Sequence, residues 1–145
     1  MGITFNDRNY DLVFSMPMDI RWGEMDALGH VNNVLYFRYL EDSRLTWMAR
    51  CGVTLSRDGE GFVLAHVECH FRRAIVYPER IDVLTYVGPL GKSSVPMYQE
   101  IRSARDRNLV YAYGESRVVW VDYSTSQSKP VPEAVRARLI VPVAP

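Results

Sequence analysis

One long helical pattern, in a chain that otherwise predicts strands, is the feature that most limits how this sequence can fold. From Asn33 to about Arg50, apolar and aromatic side chains recur at helical spacing while charged side chains take the opposite side. This spacing predicts an amphipathic helix of roughly five turns. Asn32 or Asn33 can cap its start, and Gly52 suits its end.

The segments on both sides of the helix alternate apolar and polar residues, which is the period of a strand with one buried face. Met16–Trp22 precedes the helix, and four rows follow it, at about 63–71, 81–87, 95–101 and 109–122. Strands joined by short turns pair antiparallel. We therefore expect an α+β fold in which an antiparallel sheet wraps around one long central helix. A short C-terminal helix is expected after Pro132.

The last strand row has a face of small side chains. Its members are Val110, Ala112, Gly114, Ser116 and Val118. A sheet needs such a face if a helix with bulky side chains is to lie close against it. We therefore expect this face to point toward the long helix.

Composition narrows the classes of protein to which the chain can belong. Its 145 residues suit one domain, spanning 1–145. Lys plus Arg and Asp plus Glu both number 17, so no overall charge favours nucleic acid or an anionic membrane surface. The N-terminus lacks a secretory pattern, no apolar run approaches the roughly 20 residues that cross a bilayer, and two cysteines are too few for a disulfide framework. We expect a cytoplasmic protein with no nucleic-acid or membrane partner.

The segment from Arg21 to Arg44, RWGEMDALGHVNNVLYFRYLEDSR, carries a carboxylate, a glycine and two asparagines just before the helix. Together with HFRRAIVYPERIDVLTYV, GKSSVPMYQEI and ESRVVWVD, it resembles hotdog-fold thioesterases of the 4-hydroxybenzoyl-CoA and YbgC-like type, over a core of about residues 14–123. GHVNN and Tyr36 also resemble plant acyl-ACP thioesterases. Asn33 stands where the family often has His or Tyr, and Glu24 replaces the first Asp of its Asp-x-Asp pattern. These departures leave the acyl specificity open.

The resemblance places Asp26 at the position of the family's catalytic aspartate. Hydrolysis of a thioester also needs donors for the oxyanion, and the leading amides of a helix are unpaired and carry the positive end of its dipole. We expect the amides of Asn33 and Val34 to form that site. Asp26 lies seven residues before Asn33, with Gly29 between them to permit a tight reversal.

Asp26 could act as a nucleophile that forms a mixed anhydride, or as a general base on water. A second interpretation is purely structural: Asp26 caps a turn and Asn32 is an ordinary N-cap. We expect His30, Asn32 and Tyr36 to border the substrate, with His30 hydrogen-bonded within the turn.

Two further groups of side chains are candidates for substrate binding. His66, Glu68 and His70 look like metal ligands, but on a strand the outer pair is about 13 Å apart, too far for one ion. A polar strand face is favoured, with Glu68 as an auxiliary carboxylate in a neighbouring subunit's pocket. The resemblance implies that Lys92, Ser93 and Ser94 lie near the CoA phosphates. Arg72, Arg73 and Arg102 are additional cations for that role.

The sequence thus predicts a thioesterase that converts an acyl- or aroyl-CoA to a free acid and CoA. We expect no metal and no redox cofactor. CoA is part of the substrate and is not counted as a cofactor. The resemblance implies a homodimer, or a tetramer made from two dimers, with sheets joined edge to edge and the pocket between subunits. Alternatives are an acyl-ACP thioesterase and a non-catalytic acyl-CoA-binding module. A hydratase is disfavoured because its Asn-Pro and His motif does not occur.

Overall fold

The predicted long helix forms over Asn33–Arg50 and is the centre of the fold. The structure, a computed structural model, describes residues 1–54 and 58–145. In chain order its elements are β1 (Gly2–Phe5), β2 (Arg8–Asp19), a 3-10 helix (Trp22–Glu24), α1 (Asn33–Arg50), β3 (Glu60–Val67), β4 (His70–Phe71), β5 (Arg80–Val87), β6 (Ser94–Ser103), β7 (Val110–Asp122) and α2 (Glu133–Leu139). The helix expected after Pro132 is therefore confirmed.

The strands form one antiparallel sheet in the order β1-β2-β5-β6-β7-β3, with β4 also beside β7. This confirms the predicted antiparallel sheet with one long helix packed on it. β5, β6 and β7 pair in sequence because short turns join them. β3 does not pair with β5, however. With 18 residues, α1 is about 27 Å long, and it carries the chain from β2 to the far edge of the sheet.

The strand predicted at Met16–Trp22 is in fact longer and begins earlier. It starts at Arg8 and ends at Asp19, and Trp22 lies in the 3-10 helix with 76% of its surface exposed. A hairpin with β1 precedes it, which the sequence reading missed. Asn6 and Asp7 both have positive φ, as a two-residue hairpin loop of type I′ requires.

The row at 63–71 is also not one strand. β3 ends at Val67 and β4 begins at His70, and the backbone between them crosses directly over Gly114. A Cβ on Gly114 would overlap the carbonyl oxygen of Glu68. The lack of a side chain at Gly114 therefore makes room for this crossing, whereas Ala112 and Val118 pack in the core with α1 residues as predicted.

The core lies between α1 and the sheet. Tyr36, Tyr39 and Leu40 pack in one cluster with strand residues, and Trp47 packs in a second cluster with Leu139 of α2. The predicted buried face of α1 is confirmed at these positions, but the charged Arg44 is buried as well. None of the helices in the described ranges is long and apolar enough to cross a membrane.

Candidate active site

The segment between the 3-10 helix and α1 forms a tight turn that presents Asp26. The Asp26 amide donates to the His30 carbonyl (2.8 Å), and the Gly29 amide donates to the Asp26 carbonyl (3.1 Å). Gly29 has a φ of +81°, which favours glycine. Asp26 Oδ1 accepts the Leu28 amide at 2.8 Å. The carboxylate therefore caps its own turn through one oxygen, while Oδ2 has no hydrogen-bond donor within the described part of the chain.

The start of α1 differs from the prediction in one respect. The Asn32 side-chain oxygen accepts the Val34 amide at 3.0 Å, so Asn32 is the N-cap. The Val34 amide is thus occupied, and its assignment as an oxyanion donor is corrected. The Asn33 amide donates to no acceptor within residues 1–54 and 58–145. It is the helix donor that remains available beside Asp26.

A pocket of about 350 Å³ lies over this turn. Asp26, His30, Asn33 and Tyr36 all line it, so four of the predicted site residues meet at one place. Residues 71–74 also line it, as do Leu28 and Val31 from the turn and its flank. Asn32 contributes by capping α1, and it is not a wall residue.

Tyr36 fixes the wall of the pocket to the helix. Its hydroxyl donates to the Arg73 carbonyl (3.2 Å) and accepts the Ile75 amide (3.1 Å). Its ring meets Phe71 edge-on, with centroids 5.0 Å apart. Burial raises the pKa of Tyr36, so its hydroxyl stays neutral and keeps both hydrogen bonds at physiological pH. Tyr36 thus holds the two sides of the pocket at a fixed separation.

Arg72 and Arg73 give the pocket wall a positive charge. Their backbone amides donate to the Tyr111 carbonyl of β7, at 2.9 and 3.1 Å. Both side chains are exposed, and neither forms an ion pair with a described residue. Arg102, the third predicted cation, is bonded to Glu100 at 2.6 Å and does not line this pocket.

Glu68 lies outside this pocket in a single chain. Its two oxygens contact the Nε2 atoms of His66 (3.1 Å) and His70 (2.8 Å). The hydrogen bond with His66, followed by the one with His70, lowers the pKa of Glu68 despite partial burial. The estimate of 13 Å between the histidines assumed one regular strand, whereas the break after Val67 lets both reach one carboxylate. No set of three or more His, Cys, Asp or Glu in the described ranges has the geometry of a metal site.

Lys92, Ser93 and Ser94 are remote from Asp26 in the same chain. Ser94 pairs with Val119, while Phe71 at the pocket pairs with Ala112 of the same strand. Seven residues of β7 separate these levels, or roughly 23 Å. The Lys92 and Ser93 carbonyls accept the amides of Val131 and Trp120. In one chain this turn does not join the pocket, and its assignment to CoA phosphates stays a prediction.

The sequence reading missed Phe71 and Leu28 as parts of the pocket. Phe71 was read only as an apolar position of a strand, and 49% of its surface is exposed beside Tyr36. A large aromatic side chain exposed on a two-residue strand is the structural feature that identifies Phe71 as part of the pocket. Leu28, with 78% of its surface exposed, has no signal in the sequence beyond its place in the Asp26 turn.

The comparisons with known proteins agree with this geometry. A family model described as "Thioesterase-like superfamily" matches residues 20–139. The chain belongs to the thioesterase-like superfamily. This confirms the predicted thioester hydrolase.

Solved structures resemble this superfamily member over most of its length. The PA2801 protein of Pseudomonas aeruginosa, a thioesterase candidate, is 35% identical, with a TM-score of 0.83 over 88% of this chain and 98% of that one. An acyl-CoA thioesterase candidate from Xanthomonas campestris is 33% identical, with a TM-score of 0.74 over 83% and 100%. A 1,4-dihydroxy-2-naphthoyl-CoA thioesterase from Synechocystis, 15% identical with a TM-score of 0.79 over 87% and 94%, shares the fold. The predicted hotdog fold is thereby confirmed.

Proposed function

We propose that the protein hydrolyses acyl-CoA thioesters to a free acid and CoA, with Asp26 as the catalytic residue. The observation that carries this proposal is the meeting of two groups in one pocket. Among the described residues, one carboxylate oxygen of Asp26 accepts no hydrogen bond, and the Asn33 amide at the positive end of α1 has no acceptor. An oxygen base or nucleophile and an oxyanion donor are what thioester hydrolysis requires.

The proposed reaction needs only these groups and water. The thioester carbonyl oxygen accepts the Asn33 amide, and an oxygen atom adds to the carbonyl carbon. If Asp26 is the base, that oxygen comes from water, whose proton passes to Oδ2. If Asp26 is the nucleophile, the C–S bond breaks to give a mixed anhydride that water then hydrolyses. In both cases the thiolate leaves as CoA and takes up a proton, and no electron is transferred to a cofactor.

Arg72 and Arg73 are proposed to bind the phosphate groups of CoA. Both line the same pocket as Asp26, both are exposed, and neither forms an ion pair with a residue that the structure describes. Guanidinium groups bind phosphate oxygens in pairs, which suits an extended anionic substrate that must lie across the pocket mouth. Of the three predicted arginines, Arg102 is left out of this proposal because it is engaged by Glu100.

A homodimer, or a tetramer of two dimers, is part of the proposal. β3 is a terminal strand of the sheet, and its Val63 and Leu64 are 40% and 46% exposed. An open edge with apolar side chains favours pairing with another strand. Light scattering during gel filtration measures the mass of the particle. A monomer at micromolar concentration contradicts this part of the proposal.

The function is tested with a panel of acyl-CoAs. Purified protein is incubated with short, medium, long and aromatic acyl-CoAs, and released thiol is measured with a chromogenic reagent. Turnover that is lost in Asp26→Asn supports the proposal. Saturable binding without thiol release indicates a non-catalytic module instead. Release only from acyl carrier protein thioesters indicates an acyl-ACP thioesterase.

A further inference from the structure

Three polar side chains span the break between β3 and β4. His66 belongs to β3, His70 belongs to β4, and Glu68 lies in the crossing between them. The Nε2 atoms of His66 and His70 lie 3.1 and 2.8 Å from the two oxygens of Glu68. An ionised carboxylate only accepts hydrogen bonds, so both rings donate to it. These three residues, which we call the histidine clamp, therefore tie the end of one strand to the start of the next.

The histidine clamp lies on the face of the sheet that points away from α1. His70 pairs with Tyr113 of β7, and its ring stacks on that tyrosine with centroids 5.0 Å apart. Phe71, the next residue, points to the opposite face, where its ring meets Tyr36 of α1. The clamp of one chain is thus on the other side of the sheet from that chain's pocket. Any effect of the clamp on the pocket must pass through the backbone.

The residues that directly follow the clamp line the pocket. They are Phe71, Arg72 and Arg73, and they share the pocket with Asp26. β4 consists of only two residues, so few ladder bonds fix this segment to β7. Segments held by few bonds open locally at a low free energy. A side-chain bond that spans the break therefore adds to the order of the segment that carries the two arginines.

We infer that the histidine clamp positions Arg72 and Arg73 for the phosphate groups of CoA, with Glu68 as its central positioning residue. The inference rests on the proposed function and adds a device that acts on the same site. It differs from the role expected from the resemblance, in which Glu68 is an auxiliary carboxylate in a neighbouring subunit's pocket. On a regular strand the two histidines would be about 13 Å apart. Their meeting on one carboxylate therefore depends on the break that the clamp closes.

Glutamine can replace Glu68 in the clamp but not in catalysis. Its amide oxygen accepts a hydrogen bond from one imidazole, and its amide nitrogen donates one to the other. This is possible because a neutral histidine can carry its proton on either ring nitrogen, which leaves Nε2 as an acceptor. Alanine removes both bonds. The two substitutions together separate a positioning role from a chemical one.

Hydrogen exchange tests the clamp without any substrate. The Arg72 and Arg73 amides donate to the Tyr111 carbonyl, so their exchange measures how often this segment opens. We expect Glu68→Ala to speed their exchange by about three- to tenfold, as the loss of roughly one net hydrogen bond implies. In Glu68→Gln the exchange should stay within about twofold of the wild type.

Glu60→Ala is the matched control. Glu60 lies at the other end of β3, and its side chain is 38% exposed, against 32% for Glu68. It also bonds two side chains, Trp120 at 2.8 Å and Lys129 at 3.2 Å. Its removal should therefore cost similar contacts on the same strand and leave the exchange of the pocket-lining segment unchanged.

Kinetics with two thioesters tests whether the clamp serves phosphate binding. The best acyl-CoA of the panel is compared with the same acyl group on pantetheine, which lacks the nucleotide and its phosphates. In Glu68→Ala we expect KM for the acyl-CoA to rise by about three- to tenfold, with kcat within about twofold and no matching rise for the pantetheine ester. Glu68→Gln should restore the KM. His66→Ala should raise it as Glu68→Ala does, because it removes one end of the clamp.

The remaining outcomes contradict the inference. Unchanged exchange of the Arg72 and Arg73 amides in Glu68→Ala shows that the segment needs no clamp. Equal losses of kcat in Glu68→Gln and Glu68→Ala indicate a catalytic carboxylate instead. An equal rise of KM for both thioesters shows that the phosphates are not involved. Should Glu68→Ala not fold, His66→Ala takes its place in both measurements.

Failure of the proposed function can be told apart from failure of this inference. If the wild type hydrolyses no thioester, the proposed function fails, and the exchange measurement still tests the clamp. Calorimetric binding of CoA to the wild type and to Glu68→Ala then replaces KM. Binding weakened about three- to tenfold in Glu68→Ala supports the inference. Equal binding, or none to the wild type, overturns it.

Discussion

Substitution of Asp26 by asparagine separates the chemical role of this residue from its structural one. In the structure Oδ1 accepts the Leu28 amide at 2.8 Å, and an asparagine side-chain oxygen can accept the same bond. We therefore expect the turn to survive, with the free energy of unfolding changed by less than about 0.5 kcal/mol. Asparagine has an amide nitrogen in place of Oδ2, however, so it offers neither a basic nor a nucleophilic oxygen there. The loss of a positioned acid–base group lowers the rate by about 10²–10⁴, which corresponds to roughly 2.7–5.5 kcal/mol of transition-state stabilisation.

The assay measures kcat/KM on the best acyl-CoA of the panel, together with urea unfolding of each variant. Asp26→Ala should lose the Leu28 bond as well, and so cost about 1 kcal/mol of stability in addition to activity. Asp19→Asn is the matched control, because the Asp19 side chain is exposed and its one ion pair among the described residues is with Arg80, at 3.8 Å. If Asp26→Asn retains activity within about threefold of the wild type, Asp26 only caps its turn and the catalytic assignment is refuted.

Three further predictions concern stability. Asn32→Ala removes the cap of α1 and should cost about 1 kcal/mol in urea unfolding, whereas Asn32→Asp should not; equal loss in both contradicts the capping role. Gly114→Ala should cost about 1–3 kcal/mol because its Cβ meets the Glu68 backbone, while Gly23→Ala, with open space around it, should stay within about 0.5 kcal/mol. Burial alone would raise the pKa of Glu79, but hydrogen bonds led by that from Tyr111 lower it. Its contribution is therefore present above about pH 4.3 and lost as pH falls, so Tm of wild type and Glu79→Gln should converge in acid; a constant difference contradicts this.

The helix was predictable because its signals are local. Its periodicity, the Asn32 cap and the Gly52 end all lie within or beside Asn33–Arg50, and the structure begins and ends α1 at these bounds. The pairing of β5 with β6, and of β6 with β7, was predictable for the same reason. The break between β3 and β4 was not, because it depends on Gly114, which lies far away in the sequence and lets the backbone cross.

The pocket residues likewise fall into those that are close in sequence and those that are not. Asp26, His30 and Asn33 belong to one short segment, so their proximity could be predicted from spacing. The presence of residues 71–74 in the pocket could not, because the backbone of Arg72 and Arg73 is held there by bonds to the Tyr111 carbonyl on β7. The burial of Arg44 was missed for a related reason. Its long side chain reaches Gln99 beneath α1, so this charged residue lies in the core, which the residue type alone does not indicate.

Capping and catalysis compete for the same few amides at the start of a helix. An N-cap satisfies one orphan N–H, and each N–H so used is withdrawn from an oxyanion. In this chain Asn32 takes the Val34 amide and leaves that of Asn33. The cap also holds the first turn in place, so it positions the donor it does not use. A stable helix start and an oxyanion site can therefore coexist here only because the side chain of Asn32 selects the second amide of α1 and not the first.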